Sequence, residues 1–259
     1  MPSSSPKDTL LNIVAEVPSV MQKLDRLKRL PQMLVTAADV DSIRAEYVGM
    51  LDRLLEWRAV NLPSTTFHYE TSTLAANPRT DISPGLCVRR RQYSSLLHAD
   101  LEMIQATVQL LIHLDILDLA TTFASVLDGK EEEGQAAQPW TGLVPDEPTN
   151  PTPQIDPVDT LQQALHHVTA ILESLEYSLG PDTGILAASS VAGHMMISVA
   201  FLQKIGDPRA TFALAAARDY QNRTGMRLGD FVMEGLGLAE EHEGHSMWWK
   251  DSRVPPVDD

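Results

Sequence analysis

From Tyr93 to Leu127 the sequence runs YSSLLHADLEMIQATVQLLIHLDILDLATTFASVL without a proline or glycine, and its apolar residues cover most of a helix circumference. A helix with oil on several sides has no face to give to water, so it demands neighbours around it. The segment therefore predicts the central helix of a bundle, and the rest of the chain has to supply the helices that wrap it. Neither this run, interrupted by Asp100, Glu102, Asp115 and Asp118, nor any other reaches the roughly 18 uncharged apolar residues of a membrane span.

The wrapping helices announce themselves by caps and by three-and-four spacing. Ser5, Pro6 and Asp8 form a capping-box start, and Leu10, Ile13, Val14, Val17, Met21, Leu24 and Leu27 make one buried face that Pro18 must kink or break. A second helix is expected from about Asp39 to Val60, with Ile43, Tyr47, Met50, Leu54 and Trp57 on one stripe. After the central helix, Asp156-Pro157 opens a helix through Tyr177, Gly180-Pro181 breaks it, and an apolar helix follows from about Thr183 to Lys204. Asp207-Pro208 starts another that Gly225 ends, and the short piece MRLGDFVMEGLGL precedes an acidic tail. Between Pro63 and Arg91 the pattern is lost in a long loop containing FHYE and RRR; residues 128–156 form a Pro-rich, acidic linker. With no period-two alternation and no internal repeat, the expected fold is all-α: a multi-helix bundle of packed antiparallel helices in one domain, with halves 8–127 and 157–238 and an acidic tail 239–259.

At 259 residues and 43% apolar content the chain can bury a large core. Its 35 acidic against 20 basic residues, a net charge of -15, would repel a phosphate backbone unless a basic face were segregated. The N-terminus MPSSSPKDTLL lacks a charged region followed by a continuous apolar stretch, so the expected location is intracellular, in the nucleus or cytoplasm. A single cysteine, Cys87, leaves no multi-cysteine zinc site or internal disulfide framework, and its bland reading is an unpaired thiol.

Several residues carry candidate chemistry. His194 sits in the apolar run GHMMISVAF, beside Met195 and Met196 and one turn after Ser190. Its default reading is a core histidine bonded to a neighbouring helix, the next a pocket-lining residue among adaptable methionines, and the last a metal ligand or general base. His68, Tyr69 and Glu70 place three proton-transferring groups on the long loop, and His98 with Glu102, one turn apart, could share a helix face as acid and base or as a weak exposed pair. His166 and His167 point to different sides of their helix, which leaves one of them on the surface. His242 and His245 amid Glu240, Glu241 and Glu243 read as solvated charge rather than a metal site, Trp248-Trp249 as docking the tail onto the chain itself, and Arg89–Arg91 as a salt-bridged surface rather than an import signal. The phosphate loop, nucleophile elbow and dinucleotide fingerprint are missing, and no metal or cofactor is expected.

The order DTLLNIVAEVPSVMQKLDRL, LDRLLEWRAVNLP, the apolar central helix, ILESLEYSLGPDTGILAASSVAGHMMISVAF and TGMRLGDFV resembles the C-terminal regulatory domain of fungal zinc binuclear cluster transcription factors. The resemblance spans residues 8 to 238 and lies in motif order and spacing; where that family usually has a phenylalanine-proline-leucine phrase with an alanine a turn later, this chain has Ala192-Gly193-His194. It implies a regulatory helical body without catalytic residues, here without the six-cysteine cluster, either as a relative lacking that module or as a piece of a longer factor. The expected partners are a small hydrophobic metabolite, a protein, or a second copy in a homodimer, with no direct nucleic-acid contact and no membrane. The alternative is a secondary-metabolism enzyme whose helical cavity binds a hydrophobic molecule and catalyses a cyclisation or isomerisation, with His194 or the His68–Tyr69–Glu70 group moving the proton. In the ligand-binding role the candidates are His194, Met195, Ser190, Met196 and His98.

Overall fold

A computed structural model describes residues 5–63, 65–74, 89–127, 156–181 and 183–237, with backbone only for 184–187. Ser5 Oγ accepts from the Asp8 N–H at 3.1 Å while the Asp8 carboxylate accepts from the Ser5 N–H, and this box starts α1 (Pro6–Val14). The chain leaves the helix at Ala15 and re-enters it as α2 (Val17–Lys28), with Pro18 in the first turn, where its missing N–H leaves no bond unmade. A proline ring clashes with the carbonyl four residues back, and that residue, Val14, is where α1 stops. A 3-10 turn at Gln32–Leu34 leads to α3 (Ala37–Asn61), opened by the reciprocal Thr36–Asp39 box, and the stripe Ile43, Tyr47, Met50, Leu54 and Trp57 is buried as its spacing requires.

The long loop is not without structure. Phe67–Thr71 (β1) and Arg89–Tyr93 (β2) pair antiparallel, from Phe67 opposite Tyr93 to Thr71 opposite Arg89. Period-two hydrophobicity was absent because the hairpin is held by charge and aromatic pairs: Arg90 donates to Glu70 at 2.7 Å, and the Arg91 guanidinium lies 4.5 Å from the Phe67 ring centroid. It also shortens the predicted central helix, since Tyr93 belongs to β2 and Ser95 caps α4 (Leu96–Thr122) by accepting from the His98 N–H. Then come α5 (Pro157–Ser178), capped by Asp156, α6 (Gly184–Lys204), α7 (Arg209–Thr224) and α8 (Leu228–Gly235). Gly225 closes α7 at φ 72°, a left-handed conformation suited to a residue without a Cβ. The fold is a mostly all-α packed helical structure carrying one small hairpin.

Two apolar cores meet on α4. Leu101, Val108, Ile112, Ile116 and Leu119 pack with α1, α2 and α3, while Met103, Ala106 and Leu110 pack with α5, α6, α7 and α8. At about 100° per residue these sets lie on nearly opposite sides of the helix. Among the described residues α4 is also the helix long and apolar enough to cross a membrane by length and composition, and most of it is buried between the two cores. Two polar borders separate its oily faces: Glu102, Gln105, Gln109 and His113 on one side, Asp100, Thr107 and Asp118 on the other, each set recurring at helical spacing.

Candidate functional site

The first border is the deep one. Glu102, 1% exposed, accepts through Oε1 from Arg58 of α3 and Arg91 of β2, each at 2.7 Å. Arg91, 5% exposed, also donates to Glu173 of α5 at 3.1 Å, so one chain of charges joins the helices of the first half, the central helix, the hairpin and the second half. Arg58 donates to Gln105 at 2.6 Å, and Gln105 donates to Gln109 at 2.8 Å. Two turns beyond Gln105, His113 stacks on His167 of α5 with ring centroids 5.3 Å apart and planes 13° from parallel. Burial pushes the His113 imidazole down to about 4; burial and then the neighbouring His113, His166 and Arg58 charges push His167 down to about 3. Both rings are neutral near pH 7. His166 is exposed and His167 buried, the division that their adjacency on a helix requires.

The hairpin carries the rest of this system. Arg89 donates to Glu173 at 3.0 Å and covers the Tyr69 ring at 4.3 Å, so the three arginines are tied to glutamates; the buried Arg91 in particular is not offered as part of an import signal. Glu176 of α5 accepts from the Thr73 backbone at 2.9 Å and from the Ser72 and Thr73 hydroxyls. The strand pleat divides the FHYE group: His68 lies 3.2 Å from Glu70 on one face, and Tyr69 stacks with Arg89 on the other. A concerted trio of proton donors and acceptors is thus not assembled there. The His98–Glu102 pair does not form either, because Glu102 turns to the two arginines while His98 Nδ1 lies 2.8 Å from Ser94 Oγ and 3.0 Å from Ser95 Oγ.

The second border is shallow. Asp100 accepts from Lys7 of α1 and from Ser190 of α6, at 2.8 and 2.7 Å, and so ties the two halves as Glu102 does on the other side. About two turns further on, Thr107 Oγ1 and His194 Nδ1 are 2.7 Å apart, and burial pushes the His194 ring down to about 4. His194 is therefore a neutral, half-buried histidine bonded to the neighbouring helix. Met195 is buried in the second core, and Met196 packs at its margin under Gly235, where a Cβ would collide with its sulfur. Lys28 of α2 pairs with Asp118 at the far end of the border. Nearby, Tyr47 donates to the buried Asp115 at 2.7 Å; burial lifts this carboxyl to about 6 despite that bond, and lifts the tyrosine hydroxyl as well.

Sequence reading named His194, Ser190 and His98 but missed the Glu102–Arg91–Glu173 network and its arginine partner Arg58. The available signal was the polar set Glu102, Gln105, Gln109 and His113, recurring three and four apart inside an otherwise oily helix. No group of three or more metal-ligating side chains occurs among the described residues, whereas Cys87, His242, His245 and Trp248-Trp249 lie outside them. Compared with known proteins, the chain matches no family model, no curated protein and no solved structure.

Proposed function

We propose that the chain is a transcription-factor-like regulatory body that lacks a DNA-binding module of its own and acts through protein partners or a small metabolite. The observation that carries this reading is where the chemically capable side chains are used. Glu102 and Glu173 neutralise arginines, Asp115 holds Tyr47, Asp100 holds Lys7 and Ser190, and His194 holds Thr107. These pairs join helices, so the ordered chemistry serves architecture, in keeping with the regulatory domain that the motif order resembles. The strong negative charge supports the same reading, because it opposes direct binding to a duplex. The competing enzyme reading gives the proton to His194 or to the His68–Tyr69–Glu70 group; His194 is bonded to Thr107, and the strand pleat sets Tyr69 apart from His68 and Glu70.

Deleting the gene and measuring transcripts and metabolites together tests the proposal. A regulator's loss silences several transcripts; accumulation of one intermediate with transcripts unchanged refutes it in favour of an enzyme.

A further inference from the structure

The end of α2 differs in character from the rest of this acidic chain. Between Val17 and Val35 the sequence holds Lys23, Arg26, Lys28 and Arg29 against the single acid Asp25. Lys23 pairs with Glu46 and Lys28 with Asp118, but among the described residues Arg26 and Arg29 have no ion-pair partner. Directly after them the chain displays oil: Leu30 is 48% exposed, Leu34 62% and Met33 90%. The display is held in place. Leu27 and Val35 on either side are buried, the Leu34 N–H donates to the Pro31 carbonyl at 2.8 Å, and Gln32 donates to Ser125 at 2.7 Å. Large apolar side chains fixed beside unpaired cations make a surface with both an adhesive and a sign.

Resting on the regulatory reading above, we infer that Arg26, Arg29, Leu30, Met33 and Leu34 form a docking surface for an acidic segment of another protein, whose carboxylates meet the arginines and whose apolar side chains cover Leu30, Met33 and Leu34. Charge selects this occupant over a second copy and over a membrane. A second copy on a two-fold axis would press the same positive patch against itself. An anionic membrane is a plane, and it would bring Asp25, Glu46 and Asp118 together with a chain of net charge -15 towards like charge, where a peptide can stay within the patch. Methionine adds adaptability, since its unbranched thioether fits apolar partners of varied shape.

The test uses the full chain and a fluorescein-labelled synthetic helix of about 15 residues, with Glu and Asp interleaved by Leu at three- and four-residue spacing. Fluorescence anisotropy at physiological salt reads the binding. Saturable binding is expected, weakened about ten-fold or more by Arg26→Glu with Arg29→Glu, and comparably by Met33→Ser with Leu34→Ser. All four side chains are exposed, so both variants should keep the parent circular dichroism, and a Lys-for-Glu peptide should not bind. Absent binding, or equal affinity in parent and variants, overturns the surface. So do two other outcomes: co-sedimentation with phosphatidylserine vesicles without peptide binding, which makes the occupant a membrane, and a dimer dissolved by Met33→Ser with Leu34→Ser, which makes it a second copy. Lost peptide binding with transcripts still silenced by gene deletion sinks the surface alone. Intact binding with one accumulated intermediate sinks the regulatory reading alone.

Discussion

The two borders of α4 perform one task in two dielectric settings. On the deep side Glu102, Arg91 and Glu173 join the halves out of water, with the half-buried Arg58 at their edge; on the shallow side Asp100 joins Lys7 to Ser190 with the lysine 45% exposed. A buried charge is held by its partners because it cannot return to solvent, whereas an exposed one loses little by letting go. The deep border therefore fixes how the halves sit on α4, and the shallow border adjusts it.

The sharpest way to break this contrast is Arg91→Ala, which leaves Glu102 and Glu173 buried beside fewer cations. Urea denaturation should show a loss of about 3–5 kcal/mol, with little dependence on salt. A loss below about 1 kcal/mol, the range of an exposed pair, would mean the deep border is no different from the shallow one.

Acid comes next, on the order of 2–4 kcal/mol after allowing for the partial exposure of His113 and His194. The folded-state values of His113, His167 and His194 lie below the ordinary 6.5, so the unfolded chain binds their protons first and stability falls as pH drops from about 6.5 to 4. Asp115 has the opposite sign. Its folded value of about 6 lies above the ordinary 3.8, so its contribution is complete below about pH 4 and is lost as pH rises through 6. Asp115→Asn should therefore steepen the acid loss between pH 4 and 6 in a series of urea midpoints; an unchanged slope would remove Asp115 from the account.

On the shallow side Thr107→Val should lower stability by about 0.5–1.5 kcal/mol, the net worth of one hydrogen bond, and should raise the His194 imidazole's mobility in NMR. Lys7→Ala should cost about 0.2–1 kcal/mol at low salt and almost nothing at high salt. A salt-independent loss for Lys7→Ala would place it with the deep border instead.

The cores carry a second contrast. Among the described residues nine alanines, Ala210, Ala213, Ala216 and Ala217 included, line the second core, and none belongs to the first, which is filled by side chains such as Leu10, Tyr47, Leu54 and Trp57. Helices packed through alanine approach closely, so the second core should resent added volume and the first should resent deletions.

The helices were legible in the sequence because caps and spacing are local. Ser5 and Asp8 lie within one turn, Gly225 acts on its own backbone, and the stripe from Ile43 to Trp57 repeats within one element. The hairpin was not legible, since Glu70 and Arg90 pair across a loop and their strands lack alternating oil. The site was only half legible. His194 was visible as an anomaly in an apolar run, but that its partner is Thr107 follows from how α4 and α6 lie together.

The sequence by itself determined a mostly helical body, a net acidic charge and a central helix that must be buried, because each of these depends on composition or on neighbours a turn apart. Only the tertiary structure decided that this helix serves two cores, that Glu102 faces arginines rather than His98, and that among the described residues Arg26 and Arg29 have no ion-pair partner and lie beside exposed oil. Those outcomes depend on which distant segments come within about 3 Å of one another, and a pattern read along the chain carries no term for that distance.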